Sequence, residues 1–364
     1  MMGDIKMSKK KPLIGVFKNK LKPSHRLKST PELNVDLVIF SPKSIDWEQK
    51  NVKGLLLIHG YYEERVVSFP DAVFMRKLTT FNTWAYKLEE VIGENKVFNN
   101  VTRFDKWKIY RILKKGDTNC HLPNTHKFKS KQLIDLLHRY KKIILKSRKG
   151  CLGRQVYKVE KDLNDKFYFY EHLNSPALTT HDEKILLDKI ETITSGKARY
   201  IVQEYIEFDR VDNNIYDIRM FVQKDGTGNW GVTGGFCRLS GLTFYKTNFS
   251  SKLITIDEMI KENNCLTQSK HSYIKEISLQ IAKDLENGYN HLGDICIDFG
   301  LSQDGYVWII EVNSKAGKNI VRRLGDDRFT RNVYLRPIEY ARYLALKSNC
   351  NDNKRGGGRN LYEY

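Results

Sequence analysis

Residues 294–313 read DICIDFGLSQDGYVWIIEVN, and three of their side chains have the types and spacing to hold a cation. Two β-rich runs flank Asp304-Gly305, a dipeptide typical of a two-residue hairpin turn. With that loop, Asp298 lies directly opposite Glu311, and Cys296 opposite Asn313. Side chains alternate along a strand, so Asp298, Glu311 and Asn313 share one face. Ile295, Ile297, Phe299, Trp308, Ile310 and Val312 take the other face and suit a core. Two carboxylates directly opposite each other repel, and a cation between them removes that cost. Oxygen-only ligands with an open side for phosphate are what Mg²⁺ prefers. The plainer alternative is a hairpin edge whose acids are solvated.

Basic residues at unusual places come next. The segment KKIILKSRKGCLGRQVYKVE reads as strand, glycine loop, strand. Lys146 closes the first strand, and Gly150 and Gly153 punctuate a loop whose N–H groups can cradle phosphate. Arg148, Lys149 and Arg154 add charge. The G-x-x-x-x-G-K-[ST] pattern is absent, so this is not a Walker A loop. Lys106 falls in the first turn of a helix on which Trp107, Tyr110 and Leu113 recur, with Gly116 as its C-cap. A lysine there opposes the helix dipole, although a solvated lysine is the simpler reading. RYIVQEYIEF is an apolar strand with Gln203 and Glu204 near its end. In YDIRMFVQKDGTGNWGVTGGFCRLS, a hairpin, Asp217 and Arg219 share one face and Arg238 ends the second strand; a surface ion pair is the simpler reading. His59, in LIHGYYEE, reads as a strand-end loop residue rather than a catalytic one.

These residues need elements to hold them. Apolar runs at 13–17, 37–40, 55–58 and 72–74 form a first α/β lobe over residues 1–95. Helices are expected near 183–193, 272–287 and 337–346, and the glycine-rich tail 349–364 reads as mobile. A chain of 364 residues suits two or three structural units. No run reaches the roughly 18 apolar residues of a membrane span, and the N-terminus has no secretory h-region. Six scattered cysteines without C-x-x-C spacing suit reduced thiols in a cytoplasmic protein. The net charge of +19 admits a nucleic-acid partner. No zinc-finger spacing or RNP-like motif supports one, so an anionic substrate such as a nucleotide is favoured.

Taken together, these motifs resemble the ATP-grasp superfamily. DFGLSQDGYVWIIEVNSKAG is similar to its metal-binding hairpin, IILKSRKGCLG to its phosphate strand and loop, and VQEYI to the strand that meets adenine. More narrowly, FPDAVFMRK, VFNN…DKW, LPNT, YDIRMFVQKDGTGNW and VWIIEVNSKAGK resemble the YheC/YheD family, ATP-grasp proteins associated with endospore coats. The resemblance spans about residues 55–345. It implies an α/β (α+β) ATP-grasp fold, with two α+β subdomains gripping ATP behind a small N-terminal lobe. The ATP-grasp domain would occupy 96–348, with its nucleotide-clamping part at about 118–200. Three positions depart from the usual pattern: Ser147 stands for a proline, Cys151 for a serine and Ala316 for a proline.

The resemblance also implies roles. Lys106, Lys146 and the loop at Gly150 and Gly153 would meet the ATP phosphates. The main chain at Gln203, Glu204, Tyr205 and Ile206 would hold adenine, with Glu204 at its amino group. Asp217 would meet ribose, with Glu207 a poorer candidate. Arg219 and Arg238 would be catalytic, stabilising phosphates or an acyl-phosphate. Asp298, Glu311 and Asn313 would ligate two Mg²⁺, with Asp294 as the alternative to Asp298. The implied reaction joins a carboxylate to an amine, on an amino acid, a peptide or a coat component. A kinase of a polyanionic small molecule and a non-catalytic coat protein are the rivals.

Overall fold

The computed structural model describes residues 11–150, 153, 155–171, 175–196, 199–240, 250–315 and 317–347. Cys151, Arg154, Ala316 and the tail at 349–364 lie outside them. Three sheets follow one another along the chain.

The first sheet contains β1 (Leu13–Phe17), β2 (Asp36–Phe40), β3 (Ile45–Asp46), β4 (Asn51–Ile58), β5 (Tyr61–Ser68), β6 (Ala72–Met75) and β7 (Val97–Phe98). Its order is β3-β4-β2-β1-β6-β7, with β5 paired to β4. β1, β2, β6 and β7 run parallel. LIGVF, DLVIF and AVFM are continuous apolar runs because both faces of these strands are covered. Helix α1 (Thr83–Ile92) packs Ala85 and Leu88 on one face. The other face is covered from the far end of the chain, by Ile338, Tyr340, Ala341 and Leu344. The sheet closes just beyond the boundary at 95 read from the sequence. His59 and Gly60 have φ of 47° and 84°, both left-handed, as a two-residue β4–β5 turn requires. His59 is therefore a hairpin tip. Strand β5, YYEERVVS, was not anticipated; it is largely exposed and carries no apolar run.

Helix α2 (Lys106–Leu113) leads into the second sheet. That helix stops at Leu113 with Lys114 as C-cap, while Gly116 opens the following 3-10 turn rather than capping α2. The second sheet holds β8 (Thr125–Lys127), β9 (Lys142–Ser147), β10 (Val156–Lys161), β11 (Phe167–Tyr170), β12 (Leu178–Thr180) and β13 (Tyr200–Glu204). Its order is β12-β11-β10-β9-β13-β8. Helices α3 (Ser130–Tyr140) and α4 (Glu183–Thr194) bury Leu133, Leu137, Leu186 and Ile190 against one face, where Ile143 and Leu145 point. Alternation sends Ile144 and Lys146 to the opposite face.

The third sheet comprises β14 (Arg210–Val211), β15 (Asn214–Lys224), β16 (Trp230–Ser240), β17 (Ser250–Thr255), β18 (Asp294–Leu301) and β19 (Val307–Asn313). Its order is β17-β16-β15-β18-β19, with β14 beside β15. Helices α5 (Ile256–Glu262) and α6 (Gln268–Tyr289) cover one face, where Ile218, Ile297 and Phe299 are fully buried. Helix α7 (Asp327–Leu346) sets Val333 against Phe221, Phe236 and Cys296 on the other face. It begins well before the expected 337 and carries Pro337 within it.

The β18–β19 hairpin differs from the expected two-residue turn. The Gly305 N–H donates to Ser302 O at 2.7 Å and the Ser302 N–H to Tyr306 O at 3.0 Å, with Gly305 left-handed at φ 77°. The longer loop shifts the register by one, so Phe299 pairs with Ile309 and Leu301 with Val307. A β-bulge then restores it, and Asp298 pairs with Glu311 and Cys296 with Asn313, as expected. The core residues change accordingly. Val307 and Ile309 join it in place of Trp308 and Ile310, which are only partly buried.

Candidate functional site

A cleft separates the second and third sheets. Its apolar wall is made by Ile144, Val156, Tyr205, Phe208, Ile215 and Ile310. Its polar wall carries Lys106, Lys146, Asp217, Arg238, Asp298 and Glu311. Gly150, Gly153, Gln203, Glu204 and Ile206 also line it. The bulge explains Ile310, because a bulge sets two residues of one strand against one of its partner, and Ile310 turns to the cleft beside Glu311.

The charged row follows from strand register. Arg238 pairs with Asp217 across β16 and β15, Arg219 with Asp298 across β15 and β18, and Asp298 with Glu311 across β18 and β19. Arg219 is bidentate on Asp298, Nε to Oδ1 and Nη2 to Oδ2, both at 2.7 Å. Arg238 forks onto Asp217, with its Nε 2.7 Å from Oδ1, and reaches Asp298 Oδ2 at 3.1 Å. Burial alone would raise the Asp298 pKa, but the two guanidiniums outweigh it and keep the carboxyl ionised. Asp298 is 1% exposed, so these charges meet in a weakly screened interior.

Lys106 occupies the first position of α2, where the dipole disfavours a cation. Asp105, the N-cap, compensates by accepting from the Trp107 and Lys108 N–H groups at 2.9 and 3.4 Å. Glu311 compensates further, with Oε1 2.8 Å from Lys106 Nζ. Lys106 Nζ also donates to Gly150 O at 3.0 Å, tying α2 to the glycine loop. Burial would raise the Glu311 pKa, but Lys106 turns the shift downward. Lys146 is 8% exposed, with Nζ 3.5 Å from Ile310 O. Burial lowers its pKa to about 8, with Glu311 opposing the shift and Lys106 adding to it.

Not every anticipated side chain is open to a ligand. Glu204 accepts from the Asn124 N–H at 2.7 Å and from Asn124 Nδ2 at 3.0 Å, so its carboxylate is committed to the residue that precedes β8. Asp217 is 1% exposed and occupied by Arg238. Glu207 pairs with Lys142 at 2.5 Å. Asp294 shares a face with Asp298 but lies away from the cleft, with Lys318 2.9 Å from Oδ2 and Gln223 Nε2 2.7 Å from Oδ1.

The donor set suits a hard cation. Glu311 and Asn313 offer oxygens, and Glu311 Oε2 has no ion-pair partner among the described residues. A carboxylate offers about four lone-pair sites; on Asp298 arginines use three and the Cys296 thiol donates to Oδ1 at 3.9 Å. Glu311 therefore supplies the main contact for a cation, and Asp298 reaches it only by giving up one of these partners.

A family model described as YheC/D-like ATP-grasp matches residues 94–344. The chain belongs to this family. The endospore coat-associated protein YheD of Bacillus subtilis (strain 168) is 25% identical over 327 residues, 85% of this chain and 71% of YheD. YheC of the same organism is 22% identical over 346 residues, 87% of this chain and 90% of YheC. Among solved structures, the D-alanine-D-alanine ligase from Coxiella burnetii superposes with a TM-score of 0.52 at 13% identity, over 92% of this chain and 96% of that one. At that identity the likeness is one of fold, and the fold is ATP-grasp.

Within the family fold, the departure at Ser147 has a local reading. Its N–H donates to Gln155 O at 3.1 Å and closes the base of the glycine loop, a bond proline cannot make. Two contributors escaped the sequence. Ile310 was placed in the core because no residue pattern announces the bulge. Asn99, within VFNN, carries no charge and no spacing that marks it. It is fully buried, with Nδ2 donating to Asp294 O and Ser314 O at 2.6 and 2.9 Å. Its Oδ1 accepts from the Gly293 and Asp294 N–H groups at 2.9 and 3.1 Å. The available signal was an asparagine directly after an apolar strand end; the structure places it left-handed, at φ 56°.

Proposed function

We propose that this protein is an ATP- and Mg²⁺-dependent ligase that joins a carboxylate to an amine through an acyl-phosphate. The observation that carries this reading is the cleft in which Lys106, Lys146 and Arg238 surround Asp298 and Glu311, with Arg219 clamping Asp298 from within the sheet. The apolar wall at Ile144, Val156 and Ile310 suits a base, and the Glu204–Ile206 main chain its polar edge. Lys106 and Lys146 would bind the phosphates, with Asp298, Glu311 and Asn313 holding Mg²⁺. Mg²⁺, when bound, neutralises phosphate oxygens and polarises the transferred group.

The substrate carboxylate oxygen attacks the γ-phosphorus, the bond to the β-γ bridging oxygen breaks, and ADP leaves. The amine then attacks the acyl carbon, loses a proton, and inorganic phosphate departs as the amide forms. Arg219 and Arg238 are prealigned by their carboxylates and can take the developing charge without reorganising. No protein nucleophile is needed. The fold of a D-alanine-D-alanine ligase supports this chemistry over phosphorylation alone. The names of YheD and YheC favour a peptide or coat component as substrate, handled in the cytoplasm of a spore-forming cell.

The test is to incubate the protein with Mg-ATP and pools of amino acids and peptides, measuring ADP and inorganic phosphate, with Glu311→Gln alongside. Substrate-dependent phosphate release is expected, falling roughly 10²–10³-fold in Glu311→Gln with the melting profile retained. ADP without free phosphate would instead identify a kinase. Absence of ATP binding by calorimetry would leave a coat protein that keeps only the fold.

A further inference from the structure

A second concentration of positive charge lies beside the nucleotide cleft, at the carboxyl ends of β1 and β6. These strands are parallel neighbours, with Phe17 level with Met75. From β1 the chain crosses to β2 on one side; from β6 it passes through α1 to β7 on the other. Connections that leave in opposite directions open a crevice at the strand ends, the position where open α/β sheets bind ligands. Lys18 and Arg76 are the first residues past those ends. Their N–H groups still donate to Phe40 O and Phe17 O, at 2.9 and 2.8 Å, which fixes them side by side. Lys77 follows. From the opposite side, the segment after β19 brings Lys315 and Lys318.

The charges are close enough to act on one another. Lys18 feels Arg76 and Lys315, Lys315 feels Arg76 and Lys77, and Lys318 feels Arg76. Asp294 is the carboxylate that answers them, 2.9 Å from Lys318 Nζ and 3.5 Å from Arg76 Nη1. Lys18, Lys77 and Lys315 have no ion-pair partner among the described residues. Burial and the neighbouring cations lower the Lys18 pKa to about 8. Such crowding costs stability unless an anion offsets it.

A cavity of about 100 Å³ lies between this crevice, with which it shares Lys315, and the nucleotide site. Arg103, Ser314 and Lys315 line it together with Lys106, Gly150 and Glu311, which also line the ATP cleft. Ser314 is 1% exposed and its hydroxyl has no hydrogen-bond partner. A buried hydroxyl without a partner is uncommon and marks a place for a ligand or an ordered water.

We infer that Lys18, Arg76, Lys77 and Lys315 bind a second anionic group of the acid substrate, remote from the carboxylate that is phosphorylated. The substrate is then a multiply charged acid, with a phosphate or a further carboxylate seated at the ends of β1 and β6. Its reacting carboxylate reaches through the cavity at Ser314 toward Glu311. This rests on the phosphoryl-transfer reading above.

The test uses the full chain saturated with Mg²⁺ and a non-hydrolysable ATP analogue, so that the triphosphate positions are filled. Inorganic phosphate, succinate and acetate are titrated by calorimetry. Tighter binding of phosphate or succinate than of acetate is expected, and the preferred one of the two names the anion. Lys18→Met and Lys315→Met should each weaken that binding about tenfold, while Lys315→Arg retains it. Thermal melts confirm that each variant folds. Dianions no tighter than acetate, or unaltered affinity in both methionine variants, would overturn the inference. Failure of the ATP analogue to bind would sink the ligase reading separately; the same titrations without it would still decide the anion site.

Discussion

At Asp298 both carboxylate oxygens accept from Arg219, and Arg238 adds a third contact. Removing that charge strands two buried guanidiniums. Asp298→Asn should therefore lose about 3–5 kcal/mol of stability, the range for breaking a buried pair, as measured by urea unfolding. Glu311 is partly exposed and has one cationic partner among the described residues, so Glu311→Gln should change stability far less. A large loss there and none at Asp298 would contradict this account of the site. Lys146 offers a pH signature. Its pKa falls from 10.5 to about 8 on folding, so the unfolded chain binds more protons between those values. Stability contributed by this group therefore rises with pH across that window. A bound triphosphate acts the other way, favouring the charged amine. ATP binding at pH 8.5 should take up a proton, giving different calorimetric enthalpies in buffers of different ionisation heat. Lys146→Met should remove that uptake. These ions were legible in the sequence because each stands where local structure disfavours it: a cation at a helix start, or a charge within an apolar strand.

Among the elements, the β18–β19 hairpin shows why local patterning reaches only so far. Asp-Gly announced a turn, and Asp298 opposite Glu311 followed. The pairing was right although the loop was not, because the longer loop and the bulge shift the register by compensating steps. The bulge lies at Asp298/Phe299, where it offsets the shift set by the loop, and no run of residues announces it. Strand β5 was invisible because an exposed strand has no apolar alternation to display. Asn99 was harder still, since its four hydrogen bonds connect β7 to a hairpin some two hundred residues away in sequence. Asn99→Ala would leave buried main-chain groups of Gly293, Asp294 and Ser314 unsatisfied. At about 1–3 kcal/mol for a buried orphan, a loss of about 3 kcal/mol or more in chemical unfolding is expected. A loss under about 1 kcal/mol would mean that other groups tie the lobe to the hairpin.

For the molecule as a whole, α7 is the joint. Val333 packs on the third sheet, while Ile338, Tyr340, Ala341 and Leu344 complete the core of the first. Tyr340 also stacks edge-on against Phe98, with ring centroids 4.9 Å apart. A core shared in this way couples the two regions, so they should unfold together. Leu344→Ala should lower a common calorimetric transition by about 2–5 kcal/mol rather than split off the first lobe. A separate early transition in that variant would show that the lobe stands alone. The sequence assigned these contiguous apolar strands to a first lobe over residues 1–95. It did not reveal that one face of those strands waits for the last helix.

That arrangement bears on how the protein is made. A ribosome delivers β1, β2 and β6 first, as apolar runs that need cover on both faces. Helix α1 arrives soon after and shields one of them. The other stays exposed until residues 327–346 have emerged, some 230 residues after β7. Folding unit by unit in order of synthesis is therefore blocked for this sheet: it is finished only after both later sheets have been made, and a nascent chain stalled before residue 327 presents an unsealed hydrophobic face to the cell's chaperones.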